Sequence, residues 1–260
     1  MTSKQGNGLA DVSPDAPPSE GHELTGVARE RYVESMFDGI AEPYDRLNRV
    51  ISLGRDPGWR ARAVAMSGAQ PGDRVADLGC GTGDLAIDFA DHVGETGRVA
   101  GLDLSPGMLA VADRKREGTR PWLTLHRANA QSTGLPDAWA DVVSMGWVLR
   151  NVGDRPAAYA EVQRVLKPGG RFVCIDMSRP RGLFSRAGFW AYRHVVMRGL
   201  IRFAGGNNTA YRYLARSSDG FPDGPALAEE LKAAGFEDVR WRGLMLGALA
   251  IHVGTAGSAS

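Results

Sequence analysis

Cysteine is scarce: the 260-residue chain holds two, Cys80 and Cys174. That rules out a disulfide framework and leaves buried free thiols as the expectation. An excess of one charge sign is missing as well, since 31 Lys and Arg face 30 Asp and Glu, for a formal net charge of +1. Nucleic acid, which calls for a strongly basic face, is therefore not an expected partner. No run reaches eighteen consecutive apolar residues, so no transmembrane helix is expected. The N-terminus lacks the basic-then-apolar pattern of a secretory leader, which points to a cytoplasmic protein. The five His and two Cys nowhere take metal-ligand spacing, and no metal is expected. Lysine supplies only four of the 31 basic residues, an Arg bias that fits a GC-rich bacterial genome and hints at specialised metabolism. The remainder, 43% hydrophobic, can bury a core without covalent staples.

Residues 1–28 carry Pro14, Pro17 and Pro18 with hardly any apolar residue, and are expected to form a disordered tail. The stretch from Thr255 to Ser260 is expected to be equally loose, leaving one folded unit over 29–254. Within it, short apolar runs alternate with helical patterns. Strands are expected at Arg74 to Leu78, Arg98 to Leu102, Leu123 to Arg127, Ala140 to Met145 and Arg171 to Asp176. Helices are expected at Asp84 to Val93, Pro106 to Arg116 and Ala157 to Leu166, the last stopped by Lys167-Pro168-Gly169-Gly170. Alternating strands and helices build a parallel sheet covered on both faces, here a doubly wound, Rossmann-like α/β fold. Such sheets bind ligands in the crevice at the carboxyl ends of their strands.

The sharpest local signal is Asp77-Leu78-Gly79-Cys80-Gly81-Thr82-Gly83-Asp84. Glycines at alternate positions after a strand let backbone approach a ligand with no Cβ in the way. The following helix aims its free N–H groups at the same place. Asp103 ends the second strand, twenty residues on from Gly83, placed to accept hydrogen bonds from both hydroxyls of a ribose. The nicotinamide and flavin fingerprint is G-x-G-x-x-G, whereas the third glycine here comes one residue sooner. Asp77 with the G-x-G-x-G loop resembles motif I of the class I S-adenosylmethionine (SAM)-dependent methyltransferases. That resemblance implies SAM as cofactor, with Asp77, Gly79, Gly81, Thr82 and Gly83 around its amino-acid part and Asp103 on its ribose. Asn129 and Ala130 would meet the adenine, and Met108 lies in the helix after Asp103.

The flanks narrow the likeness. Phe37 to Asn48 (FDGIAEPYDRLN), Ser52-Leu53-Gly54 and Trp59-Arg60 resemble the N-terminal signature of the UbiE-type ubiquinone/menaquinone C-methyltransferases. Leu149-Arg150-Asn151-Val152 resembles that family's L-R-N-V core, and Ala210 to Leu214 its S-Y-R-Y-L segment. Ala234 to Glu237 and Gly247 to His252 resemble its closing strands, so the likeness runs from about Met36 to Gly254. It implies methyl transfer to a ring carbon of a polyprenylated quinol, with homo-oligomerisation. Tyr44, Arg150 and Asn151 become the candidate catalytic groups, and Asp45, Trp147, Trp190, Tyr211 and Tyr213 the acceptor side. This chain departs from the pattern at four places: Gly146 replaces a cofactor-contacting serine, Trp147-Val148 a Phe-Gly pair, Met245-Leu246-Gly247 a small T-x-G corner, and Arg216 an acid. These changes point to a re-shaped acceptor pocket.

A ring carbon becomes a good nucleophile once a neighbouring hydroxyl loses its proton. Tyr44, or a water held by Arg150, is the expected base, with Arg150 stabilising the phenolate-like oxygen. Structural readings stand beside these: Arg150-Asn151 as a cap for the helix from Asp154, and Tyr44 as a core aromatic. His252, in an apolar strand, reads as a satisfied structural histidine. Leu183 to Ala204 interleaves aromatics with Arg186, Arg193, Arg198 and Arg202. It reads as part of an acceptor-site lid over 183–216, or as a basic amphipathic surface touching a membrane peripherally to collect a small hydrophobic acceptor. Three functions stay open: C-methylation of a quinol or related phenolic, methylation of a terpenoid carbon, an oxygen or a nitrogen, and SAM binding that templates a cyclisation without methyl transfer.

Overall fold

The computed structural model describes residues 26–182 and 220–257, together with Gly188. Three helices lead in: α1 (Gly26–Asp38), α2 (Ala41–Ile51) and α3 (Asp56–Ser67). Then β1 (Arg74–Leu78), α4 (Asp84–Val93), β2 (Arg98–Asp103), α5 (Pro106–Arg116) and β3 (Leu123–Arg127) alternate. They are followed by β4 (Ala140–Gly146), α6 (Arg155–Val165), β5 (Leu166–Met177), α7 (Gly224–Ala233), β6 (Phe236–Leu244) and β7 (Leu249–Ala256). The seven strands form one sheet in the order β3-β2-β1-β4-β5-β7-β6. The first five are parallel, and β7 runs antiparallel to both neighbours.

This is the Rossmann-like α/β fold expected, and the strand order reverses between β1 and β4, the place where such sheets open a crevice. Both faces are covered, which is why β1 is buried from Val75 to Leu78. On one face Tyr159 and Val162 of α6 and Leu227 and Leu231 of α7 close over Leu78, Met145 and Phe172. On the other, Phe89, Ala90 and Val93 of α4 and Val64 of α3 cover Val75, Val142, Val173 and Ile251. Ser105 caps α5 by accepting from the Met108 N–H at 3.1 Å, and Asp154 caps α6 by accepting from the Ala157 N–H at 3.0 Å.

Local expectations shift in four places. Helix α6 starts two residues early because Asp154 caps it, so Arg150 and Asn151 are not needed as caps. Leu166 belongs to β5, where it pairs with Ala140 before a register shift. The Lys167-Pro168-Gly169-Gly170 stretch is thus an irregularity inside a strand rather than a helix stop. Thr255, expected to be loose, lies across from Arg171 and Glu237 in β7. Helix α1 begins at Gly26, ahead of the expected boundary at 29, while residues 1–25, most of 183–216, and 258–260 lie outside the described residues.

The link between β3 and β4 is held by one nearly buried carboxylate. Glu161 of α6 accepts from the Thr133 N–H and hydroxyl, both at 2.6 Å, and pairs with Arg164 at 2.7 Å. The Arg164 and Thr133 hydrogen bonds lower its pKa from 4.5 to about 2. Its contribution is therefore complete above pH 4.5 and disappears as the pH falls through 2. Glu161→Gln should lose about 1–3 kcal/mol at pH 7, with the deficit shrinking at pH 3, as read by urea unfolding at both pH values.

Candidate active site

The Gly-rich loop leaves β1 at the reversal point. Gly79 and Cys80 both donate their N–H to the Leu102 carbonyl, at 2.7 and 2.9 Å, stitching the ends of β1 and β2 together. Gly79 is left-handed (φ +71°), and a Cβ there would fall 2.4 Å from Val148 Cγ2. Gly83 is left-handed as well (φ +83°), and its Cβ would meet that of Ala112 at 2.9 Å. At Gly79 and Gly83 the loop is thus pressed against Val148 and α5 with no room for a side chain, whereas the space beside Gly81 is open. Helix α4 follows at once, and its N-cap residue, Gly83, supplies no side-chain cap.

Asp103 is the second element. Its Oδ2 accepts from the Gly81 N–H at 2.8 Å and its Oδ1 from the Ser105 N–H at 2.9 Å. Burial pushes its pKa up, opposed by those backbone donors. Each carboxylate oxygen keeps a lone pair for a ribose hydroxyl. Asp77 sits deeper: Oδ1 accepts from the Ser144 hydroxyl at 2.6 Å, while the buried Oδ2 has no partner. Burial raises its pKa to about 7, against the Ser144 bond and with the help of the Asp103 charge. An orphaned carboxylate oxygen beneath a glycine cradle fits a cationic ligand group.

A cavity opens beside the loop. Of the expected cofactor residues, Gly79, Asp103, Met108, Asn129, Ala130 and Gly146 line it, and Tyr44, Trp147 and Asn151 join them from the expected acceptor side. Gly146 could not be the family's serine without crowding, because a Cβ would lie 3.0 Å from Leu85 Cδ2.

Several residues stand elsewhere than expected. Thr82 and Asp45 bind each other, hydroxyl to Oδ1 at 2.5 Å, and Lys115 bridges Asp45 at 2.6 Å and Asp84 at 2.5 Å. This cluster fastens α2 to the loop, and neither Thr82 nor Asp45 lines the cavity. Arg150 does not line it either. Its side chain, 7% exposed, bonds through Nη1 to Asp176 Oδ1 at 2.5 Å and to the Trp147 carbonyl at 2.9 Å. Tyr44 packs edge-to-face on Phe37, and burial raises its phenol pKa despite Asn48 and Arg150. His252 is a structural side chain: buried, its Nε2 2.7 Å from the Gly224 carbonyl, its ring stacked on Trp241. Both thiols are buried and their pKa raised, which leaves them unreactive. Met245 and Leu246 take left-handed turns in the tip joining β6 and β7 and do not line the cavity. Trp190, Tyr211, Tyr213 and Arg216 lie outside the described residues.

The largest omission from the sequence reading is α1. Glu30, Val33, Glu34 and Phe37 all line the cavity. Gln131 donates to Glu30 at 2.5 Å and Asn129 Oδ1 accepts from the Gln131 N–H at 2.9 Å. Asp38 accepts from the Ser105 hydroxyl at 2.8 Å and the Gly107 N–H at 2.6 Å. Positions 30, 33, 34 and 37 share one helix face, but with Glu at two of them they form no apolar stripe that periodicity would single out. Asp176, at the carboxyl end of β5, was the other residue missed.

A doubly wound sheet whose reversal point carries a glycine cradle, an orphaned acid beneath it and a ribose-ready Asp103 defines a class I SAM-dependent methyltransferase. A solved SAM-dependent methyltransferase from Thermotoga maritima shares the fold, with a TM-score of 0.59 over 86% of this chain and 99% of that one at 20% identity. The ubiE/COQ5 methyltransferase family profile matches residues 25–256. A demethylmenaquinone methyltransferase of Symbiobacterium thermophilum is 42% identical over 87% of this chain and 93% of its own length. Another from Desulfitobacterium hafniense is 34% identical over 89% and 92%. The chain belongs to the ubiE/COQ5 methyltransferase family, and S-adenosyl-L-methionine is its methyl donor.

Two outcomes follow from the loop. Gly79→Ala, which sets a Cβ against Val148, should lower SAM affinity at least about tenfold in calorimetry. For Asp77, the folded apoprotein holds a proton that the unfolded chain releases, so stability falls as the pH climbs from about 4 past 7. Asp77→Asn should unfold at higher urea than the parent at pH 8, by roughly 2–4 kcal/mol, with little difference at pH 4 and with weakened SAM binding.

Proposed function

We propose that the protein methylates a ring carbon of a polyprenylated quinol of the demethylmenaquinol type. The observation that carries this reading is the make-up of the cavity wall, where Asp103, Ser105 and Asn129 are joined by Val33, Phe37, Trp147, Val148 and Val152 and by the Tyr44 phenol. A flat, greasy ring with one oxygen to be recognised suits such a wall. The names of the two relatives point to the same acceptor.

SAM, when bound, supplies a methyl group already activated on a sulfonium. The glycine loop, Asp103, Asn129 and Ala130 would hold it. The chain then has to align the acceptor carbon and exclude water, and such positioning is worth several kcal/mol of barrier. The apolar wall excludes water. Tyr44, kept protonated, donates a hydrogen bond to the acceptor oxygen and so favours its anionic form, in which the ring carbon is the better nucleophile. An acceptor of this kind is membrane-borne, and among the described residues no helix is long and apolar enough to cross a membrane. The protein would therefore meet it by peripheral contact.

Labelled SAM incubated with demethylmenaquinol, demethylated benzoquinols and simple phenols, with mass spectrometry of products, tests the reading. A C-methylated naphthoquinol is expected. SAM binding with no methylated product from any ring, or methyl found on oxygen, would overturn it.

A further inference from the structure

Trp147 is a bulky residue in the left-handed region, with φ at +59°. Such a conformation is unfavourable for a large side chain and persists only where the surroundings over-determine it. Here they do. The Trp147 N–H donates to the Ile175 carbonyl at 2.7 Å, tying it to the end of β5. The Trp147 carbonyl accepts from Arg150 Nη1 at 2.9 Å and from Asn151 Nδ2 at 3.3 Å. Arg150 is in turn fixed by Asp176, whose Oδ1 takes the guanidinium and the Met177 N–H at 2.7 Å, and whose Oδ2 takes the Arg150 N–H at 3.3 Å. Arg29 of α1 adds a bond to the Arg150 carbonyl at 3.0 Å. Of the two donors to the Trp147 carbonyl, Arg150 does not line the cavity and Asn151 does, as does Trp147 itself.

We propose that Trp147 is the specificity-determining wall of the acceptor site, and that Arg150 and Asp176 are positioning residues that act through it. This rests on the quinol reading above. The clamp fixes the backbone at a bulky residue of the cavity wall, and an aromatic face held in place there would select among planar rings by stacking geometry. The next residue, Val148, presses on Gly79. The same turn therefore sets the distance between the acceptor wall and the cofactor loop. Arg150 serves this arrangement by holding a carbonyl, with no proton transfer assigned to it.

The test compares the parent enzyme with Trp147→Phe, Asp176→Asn and Arg150→Lys. Trp147→Phe should keep SAM affinity within about twofold and change the ratio of kcat/KM between naphthoquinol and benzoquinol acceptors by about tenfold. Asp176→Asn should shift that ratio the same way with an unchanged pH profile, and Arg150→Lys should restore part of the parent ratio relative to Arg150→Ala. An unaltered ratio in both Trp147→Phe and Asp176→Asn, or a pH profile that moves with Arg150→Lys, overturns the proposal. The clamp is also read without any acceptor. Amide hydrogen exchange across 147–151 in the SAM complex should speed up in Asp176→Asn, and unchanged exchange overturns it. A parent enzyme inert toward every quinol would sink the quinol reading, and the exchange result would then decide the clamp.

Discussion

The end of β1 is where the molecule is under most constraint. Two consecutive N–H groups, of Gly79 and Cys80, converge on one carbonyl, that of Leu102. A third, of Gly81, reaches the carboxylate one residue further along β2. The bonds draw the loop across the top of two strands and force it through left-handed turns. Any Cβ at Gly79 or Gly83 would break that arrangement, and the start of α4, the seat of Asp103 and the floor of the cavity all depend on it.

The second constraint is electrostatic. Asp176 is 1% exposed and Arg150 is nearly as deep. Burying such a pair brings little net stability, whereas removing one partner strands the other charge at a cost of about 3–5 kcal/mol. The pair is better understood as a geometric device, holding the turn at Trp147 in the one arrangement that serves the cavity. The Asp45–Thr82–Lys115–Asp84 cluster does the same for α2 against the loop. Neither the Arg150–Asp176 pair nor the Asp45–Thr82 contact lies on the cavity wall, and both hold backbone beside it.

Much of the scaffold was legible. Strand β1, helices α4 and α5, and strand β3 fall where hydrophobic periodicity and the Gly, Pro and Ser signals put them. Those signals are local, since a cap or a left-handed glycine acts within a few residues. The placement of the loop, Asp103 and Asn129 at the ends of successive strands was legible for the same reason. The errors involve distant partners. Leu166 joins β5 because Ala140 stands beside it, and Thr255 is ordered because Arg171 and Glu237 pair with it. Glu30 and Glu34 reach the cavity only because α1 is anchored by Asp38 to the start of α5.

The sequence by itself determined the doubly wound sheet, the glycine loop with its acid and Asp103, and through its motifs membership in a methyltransferase family. These follow from patterns repeated along the chain and from contacts between near neighbours. Only the tertiary structure decided which polar groups face the cavity. Thr82 is taken by Asp45, and Arg150 is taken by Asp176, 26 residues away along the chain. A side chain's chemical role depends on the partner that occupies it, and partners from separate strands and helices are chosen only when the sheet is assembled.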